Sequence, residues 1–140
     1  MKTLISIVLM GILIVPGLLK GQSDVDGSKY RISGGKEFQI LNPGEKILLY
    51  KTSSGTGLKN DPKVEHYYFS AEAGSEILAL TLRNVETVFE SNTAFEERIE
   101  MTFRNDGDLT MYDPIHKMYK LNRLMQMSNV KPLVSIARQQ

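Results

Sequence analysis

The chain of 140 residues has no cysteine. That excludes disulfides, thiolate metal sites and the lipidated cysteine of a bacterial lipoprotein, so any domain here is held together by packing alone. Tryptophan is absent as well, which weakens the case for a sugar-stacking platform. His66 and His116 are the only imidazoles, and none of the serines sits in a Gly-x-Ser-x-Gly elbow. Nor is there a phosphate loop: Ser53-Ser54-Gly55-Thr56-Gly57 runs into Leu58 and Lys59, not into the Lys-Ser/Thr ending that cradles phosphate at a helix start. No internal repeat or low-complexity tract breaks the chain.

A large excess of either charge is also missing, since 17 basic residues face 16 acidic ones. Removal of Lys2 and Lys20 with an N-terminal signal leaves a net charge near −1, so no global attraction to nucleic acid or membrane follows. The layout is uneven all the same. Glu86, Glu90, Glu96, Glu97, Glu100, Asp106, Asp108 and Asp113 face only Arg98 and Arg104. From Pro114 onward stand Lys117, Lys120, Arg123, Lys131 and Arg138 with no acid at all.

What is present begins with a secretory signal. Lys2 gives a positive start, residues 4–19 are a nearly unbroken apolar run, and Lys20, Gly21 and Gln22 return to polarity. Cleavage after Gly21 is expected, leaving about 119 residues, enough for one core. The alternative is an uncleaved membrane anchor, although the run falls short of the roughly 20 residues that span a bilayer and Gly11, Pro16 and Gly17 interrupt it. The expected division is a signal at 1–21, a flexible lead at 22–29, a single domain at 30–128 and a tail at 129–140.

Residues 30 to about 80 read as strands and turns. Tyr30–Ile32 and the alternating Phe38 and Ile40 flank Gly34-Gly35, a hairpin signal. Asn42-Pro43-Gly44 is a second turn, and Ile47-Leu48-Leu49-Tyr50 together predict a strand buried on both faces. Residues 53–63 lack periodicity and form an expected exposed loop. Residues 66–70 return to strand, with the adjacent Tyr67 and Tyr68 on opposite faces, one toward the core and one outside.

Residues 77–127 hold the helix pattern. Thr81 is an N-cap before Leu82, Val85, Val88 and Phe89. Thr93 and Glu96 have capping-box spacing ahead of Phe95, Ile99 and Phe103, and Asn105-Asp106-Gly107 turns the chain. Asp113-Pro114 predicts a third helix running to Met127, with Ile115, Met118, Tyr119, Asn122 and Met125 on its inner face and Lys117, Lys120 and Arg123 largely outside. Leu124 has no evident place in that pattern.

Chemistry-bearing candidates are few. Asp113 and His116, three apart, can reach one metal or one water, with His66 or Glu65 as a candidate third ligand, but a real site needs three or four converging groups. Glu96, Glu97 and Glu100 have the spacing of a solvated helix face. The six tyrosines offer a groove for sugar or peptide, and the methionines of the last third resemble an adaptable docking surface, although gap-filling explains Met118 and Met125.

The run Leu80-Thr81-Leu82-Arg83-Asn84-Val85, then Phe89-Glu90-Ser91-Asn92, Ala94-Phe95, Asp113, Lys117-Met118-Tyr119 and Leu121-Asn122, resembles the C-terminal part of small secreted hypothetical proteins common in Bacteroidota. Gly21-Gln22 at the end of the signal resembles the same group. The resemblance covers about a third of the chain and implies envelope export without an activity.

The expectation is an α+β domain, with an N-terminal, mostly antiparallel sheet followed by two or three C-terminal helices. The expected role is an exported, periplasmic or extracellular, non-catalytic binding or protein-interaction module, with Lys59, Lys117, Lys120 and Arg123 as binding residues. No cofactor, metal or nucleic acid is expected. A partner is expected in the envelope, and membrane contact only during export or through an uncleaved signal. The alternatives are a metal-dependent enzyme around His66, Asp113 and His116, and a membrane-anchored domain.

Overall fold

A computed structural model describes residues 29–129. The signal expected at 1–21, nearly all of the lead and the tail beyond Asn129 lie outside the described residues. The architecture is α+β, with a five-stranded antiparallel sheet followed by helices. The sheet is a meander in chain order, β1 (Tyr30–Ser33), β2 (Lys36–Ile40), β3 (Leu48–Ser54), β4 (Val64–Ser70) and β5 (Leu78–Ala79). Behind it come α1 (Leu82–Val88), α2 (Thr93–Thr102), a 3-10 turn (Asp106–Thr110), a small hairpin of β6 (Tyr112–Asp113) and β7 (Met118–Tyr119), and α3 (Lys120–Asn129). Among the described residues no helix is long and apolar enough to cross a membrane.

β1 and β2 meet through Gly34 (φ 57) and Gly35 (φ 74), two left-handed residues of the kind a tight hairpin turn demands. At the centre of the sheet β3 is buried on both sides, and Ile47, Leu48, Leu49 and Tyr50 are all solvent-excluded. Its alternate residues feed two cores. Ile47 and Leu49, with Phe69, pack against Val85, Phe95, Ile99, Phe103, Leu109, Leu121 and Met125 from the helical half. Leu48 and Tyr50 pack with Phe38 and Ile40 inside the curl of the sheet. Tyr67 joins the first cluster and Tyr68 the second. Both tyrosines are therefore half-buried, because the curl gives the sheet a second interior that a one-sided sheet lacks.

Polar side chains stitch the halves together. Arg31 donates from Nη1 to Tyr50 Oη at 3.0 Å and from Nη2 to the Ser75 carbonyl at 2.7 Å, latching β1 to the loop between β4 and β5 across the curl. Asn122 on α3 grips Ile47, the residue just before β3: its Oδ1 accepts from Ile47 N at 3.0 Å and its Nδ2 donates to Ile47 O at 2.8 Å. Asn42 adds a second donor to Ile47 O at 2.8 Å and accepts from Leu49 N at 2.6 Å. Two buried asparagines thus take over backbone bonds that no strand supplies.

The helix starts differ from the sequence pattern in two places. Thr81 caps α1 as expected, its Oγ1 accepting from Asn84 N at 3.2 Å, and Asp106 reaches back to accept from Leu82 N at 2.8 Å. For α2, however, the cap is Asn92, which accepts from Phe95 N at 3.1 Å, and Thr93 is the first helical residue. The larger correction concerns Asp113-Pro114, which starts no helix. Asp113 Oδ1 accepts from Ile115 N at 2.9 Å and His116 N at 3.2 Å, but the chain then reverses through Lys117 (φ 53) to pair Met118 with Asp113 and Tyr119 with Tyr112. Asp then Pro is as good an opening for a β-turn as for a helix. α3 begins only at Lys120, Ile115 stands in solvent at the hairpin tip, and Lys117 belongs to the turn and not to a basic helix face. Leu124, unplaced by pattern, packs half-buried against the helical core.

Candidate functional site

The helices cover only part of their side of the sheet. Beyond the row of Leu49 and Phe69 the next cross-strand row is Tyr30, Gln39, Lys51 and Tyr67, in register across four strands. Three strand spacings put its ends about 14 Å apart. An aromatic ring at each end brackets an amide and an ammonium.

Within that row the ladder between β2 and β3 stops. Gln39↔Lys51 and Ile40↔Tyr50 are its only register pairs, and past Lys51 the strands part. A hollow of about 320 Å³ opens in the split, lined by Tyr30, Lys36, Glu37, Gln39, Lys51, Thr52 and Ser53. This notch offers hydroxyl, amide, ammonium and carboxylate groups on rigid strands, the mixture that orients a polar ligand.

The charged groups beside it hold each other. Lys51 Nζ donates to Glu65 Oε1 at 3.0 Å, and Tyr67 Oη donates to Glu65 Oε2 at 2.8 Å. The bond from Lys51, followed by that from Tyr67, holds the Glu65 carboxyl below the usual range. The bond to Glu65 Oε1 lifts Lys51 above the ordinary lysine value, and the separate bond to Glu65 Oε2, first among its causes, raises the Tyr67 phenol. On the β6–β7 hairpin burial raises Tyr119, helped by the charges of Glu45 and Tyr112, and its ring meets Tyr112 edge-on at 5.4 Å. On the other face of the sheet Lys36 Nζ donates to Tyr68 Oη at 3.1 Å, lowering that phenol, and lies 5.4 Å from the Phe38 ring centroid.

The residues singled out by sequence do not gather at one place. Lys59 lies in the loop after β3, where it lines a second open hollow of about 500 Å³ with Ser53, Ser54, Gly55, Gly57, Leu58, Asp61 and Lys63. Asp61 pins that loop by accepting from the Thr56 backbone N at 2.8 Å and from the Thr56 hydroxyl, which together hold its carboxyl low. Ile47, where α3 docks, sits at the opposite end of β3, roughly 23 Å away along seven residues. Lys117 is in the hairpin turn, Lys120 opens α3, and Arg123 is half-buried one turn on. His116 Nδ1 and Asp113 Oδ2 meet at 2.6 Å, whereas His66 on β4 lies with its Nε2 3.1 Å from Ser54 Oγ on β3. Among the described residues no three His, Asp or Glu side chains form a metal-holding group.

The notch itself escaped the sequence reading. Its residues are ordinary strand polars, and the one available signal was that Glu37, Gln39, Lys51 and Ser53 alternate with buried neighbours and so share a face. No family model matches the chain, and no curated protein or solved structure matches it either.

Proposed function

We propose that this chain is an exported envelope protein acting as a non-catalytic binding module, and that it contacts a partner protein through the notch between β2 and β3. The observation that carries this reading is the end of the ladder between the two strands after Gln39↔Lys51, beside a row in which Tyr30 and Gln39 are exposed and Lys51 and Tyr67 half-buried. A partner's polar loop or extended segment fits a hollow of this size and chemistry. Lys51 and Glu65 hold each other charged beside the notch, which suits a polar contact surface. Export rests on Lys2, the apolar run at 4–19 and the resemblance to small secreted proteins common in Bacteroidota.

The test is capture of envelope proteins by the wild-type chain and by a Gln39→Ala/Lys51→Met variant. Gln39 is exposed, and Lys51 is half-buried in an ion pair with Glu65 whose loss costs little, so the unfolding midpoint of the variant is measured alongside and only a small fall is expected. A specific partner should be retained at least about tenfold less by the variant, which corresponds to about 1.4 kcal/mol. Equal retention would remove the notch as the contact surface.

A further inference from the structure

The β6–β7 hairpin presents an apolar tip that neither core uses. Ile115 is 85% exposed, Pro114 before it is exposed, and so are Tyr112 on β6 and Met111 just before that strand. The tip is held stiffly. Asp113 accepts from the N–H groups of Ile115 and His116 and pairs with the His116 ring, Tyr112 and Tyr119 stack edge-on, and Lys120 N donates to Met111 O at 2.8 Å. At Lys117 the turn keeps a side chain at φ 53, where glycine would sit without strain. Around this tip Lys117 and Lys120 stand against one hairpin acid, Asp113, whose carboxylate is engaged by His116, while Glu45 acts from the Tyr119 side.

We propose that this hairpin is a docking tip for an anionic lipid surface, with Pro114 and Ile115 entering the acyl boundary, Tyr112 lying at the headgroup level, and Lys117 and Lys120 meeting lipid phosphates. An amphipathic phenol suits the interface, and short cationic segments are drawn to anionic headgroups. A bilayer fits better than a protein because a convex tip of a few residues offers far less than the ~800 Å² per side of a standard protein interface, while a bilayer requires only the tip. With basic and acidic residues nearly balanced overall, attraction comes from this local arrangement and falls with salt. The inference is independent of the notch.

Because the chain lacks cysteine, an environment-sensitive fluorophore on Ile115→Cys reads this tip alone. The same label on Met101→Cys is the control, since Met101 on acidic α2 is 87% exposed. The chain from Gln22 onward, without the apolar run at 4–19, is mixed with vesicles of phosphatidylcholine alone or with phosphatidylglycerol added. A blue shift at position 115 is expected on phosphatidylglycerol vesicles only, weakened at high salt, lost in Lys117→Glu/Lys120→Glu, and absent at position 101. In flotation of unlabelled chain, Ile115→Ser should lower partitioning onto the anionic vesicles roughly tenfold without changing the fold. The proposal is overturned if the label at 115 stays in water, shifts equally on neutral vesicles, keeps its shift in the Lys117→Glu/Lys120→Glu chain, or shifts only when an acidic polypeptide replaces the lipid.

Discussion

Replacing Asn122 by alanine removes two hydrogen bonds at once, and the consequences for their two ends differ. Ile47 O keeps its bond from Asn42 Nδ2 at 2.8 Å, whereas Ile47 N, on a residue with no solvent exposure, loses the acceptor at 3.0 Å. An orphaned buried N–H costs about 1–3 kcal/mol, and the small void adds to it. A loss of about 2–4 kcal/mol is expected, a large part of the ~5–15 kcal/mol that holds a typical domain together. Asn122→Asp sharpens the test. Its carboxylate still accepts from Ile47 N but sets a second oxygen against Ile47 O, which faces the present amide donor at 2.8 Å, and it buries a charge. That variant should be at least as unstable as the alanine near neutrality. It should regain stability as pH falls, because the protonated acid can donate where the amide did. Urea unfolding followed by circular dichroism gives the energies, and hydrogen exchange at the Ile47 amide gives the site. If Asn122→Ala loses less than about 0.5 kcal/mol and Ile47 stays protected, the asparagine clamp is not what joins helix to sheet.

Three further outcomes follow from the same bonds. Asn92→Ala should cost about 1 kcal/mol by thermal or urea unfolding, and Thr93→Ala only a few tenths, which separates the observed cap of α2 from the neighbouring residue. Thr81→Ala should cost roughly as much as Asn92→Ala, partly offset because Asp106 also serves that helix start. The bond from His116, then the backbone N–H of His116, holds the Asp113 carboxyl below its ordinary value. A depressed carboxyl contributes stability that is present above its unfolded value of about 3.9 and disappears as pH falls through the lower folded value. Amide shifts of Ile115 and His116 should therefore move toward random-coil positions only below pH ~4, and Asp113→Asn should abolish that pH dependence.

Local chemistry that admits one solution could be read from the sequence. Gly34-Gly35 marks a tight turn, the apolar run at 47–50 marks a buried strand, which begins one residue later at Leu48, and Thr81 before a three-and-four repeat opens a helix. Asp113-Pro114 admits two solutions, helix cap and β-turn, and the same two N–H bonds to Asp113 serve either. The choice fell to the pairing of Tyr112 with Tyr119, which lies beyond the local pattern. Asn122 was correctly set on a buried face, but its purpose depends on Ile47, far away in sequence. The notch was illegible for a similar reason: it lies where the ladder between β2 and β3 ends, and the pairing of two strands is not written in either one alone.

The most direct test of the binding reading is photo-cross-linking in living host cells, with a photoreactive residue at Gln39 on the notch or, as the comparison, at exposed Glu97 on α2. The account predicts one reproducible envelope protein cross-linked from position 39, not from 97, and lost when Lys51→Met accompanies the probe. An adduct from position 97 alone, or from both positions alike, would contradict it.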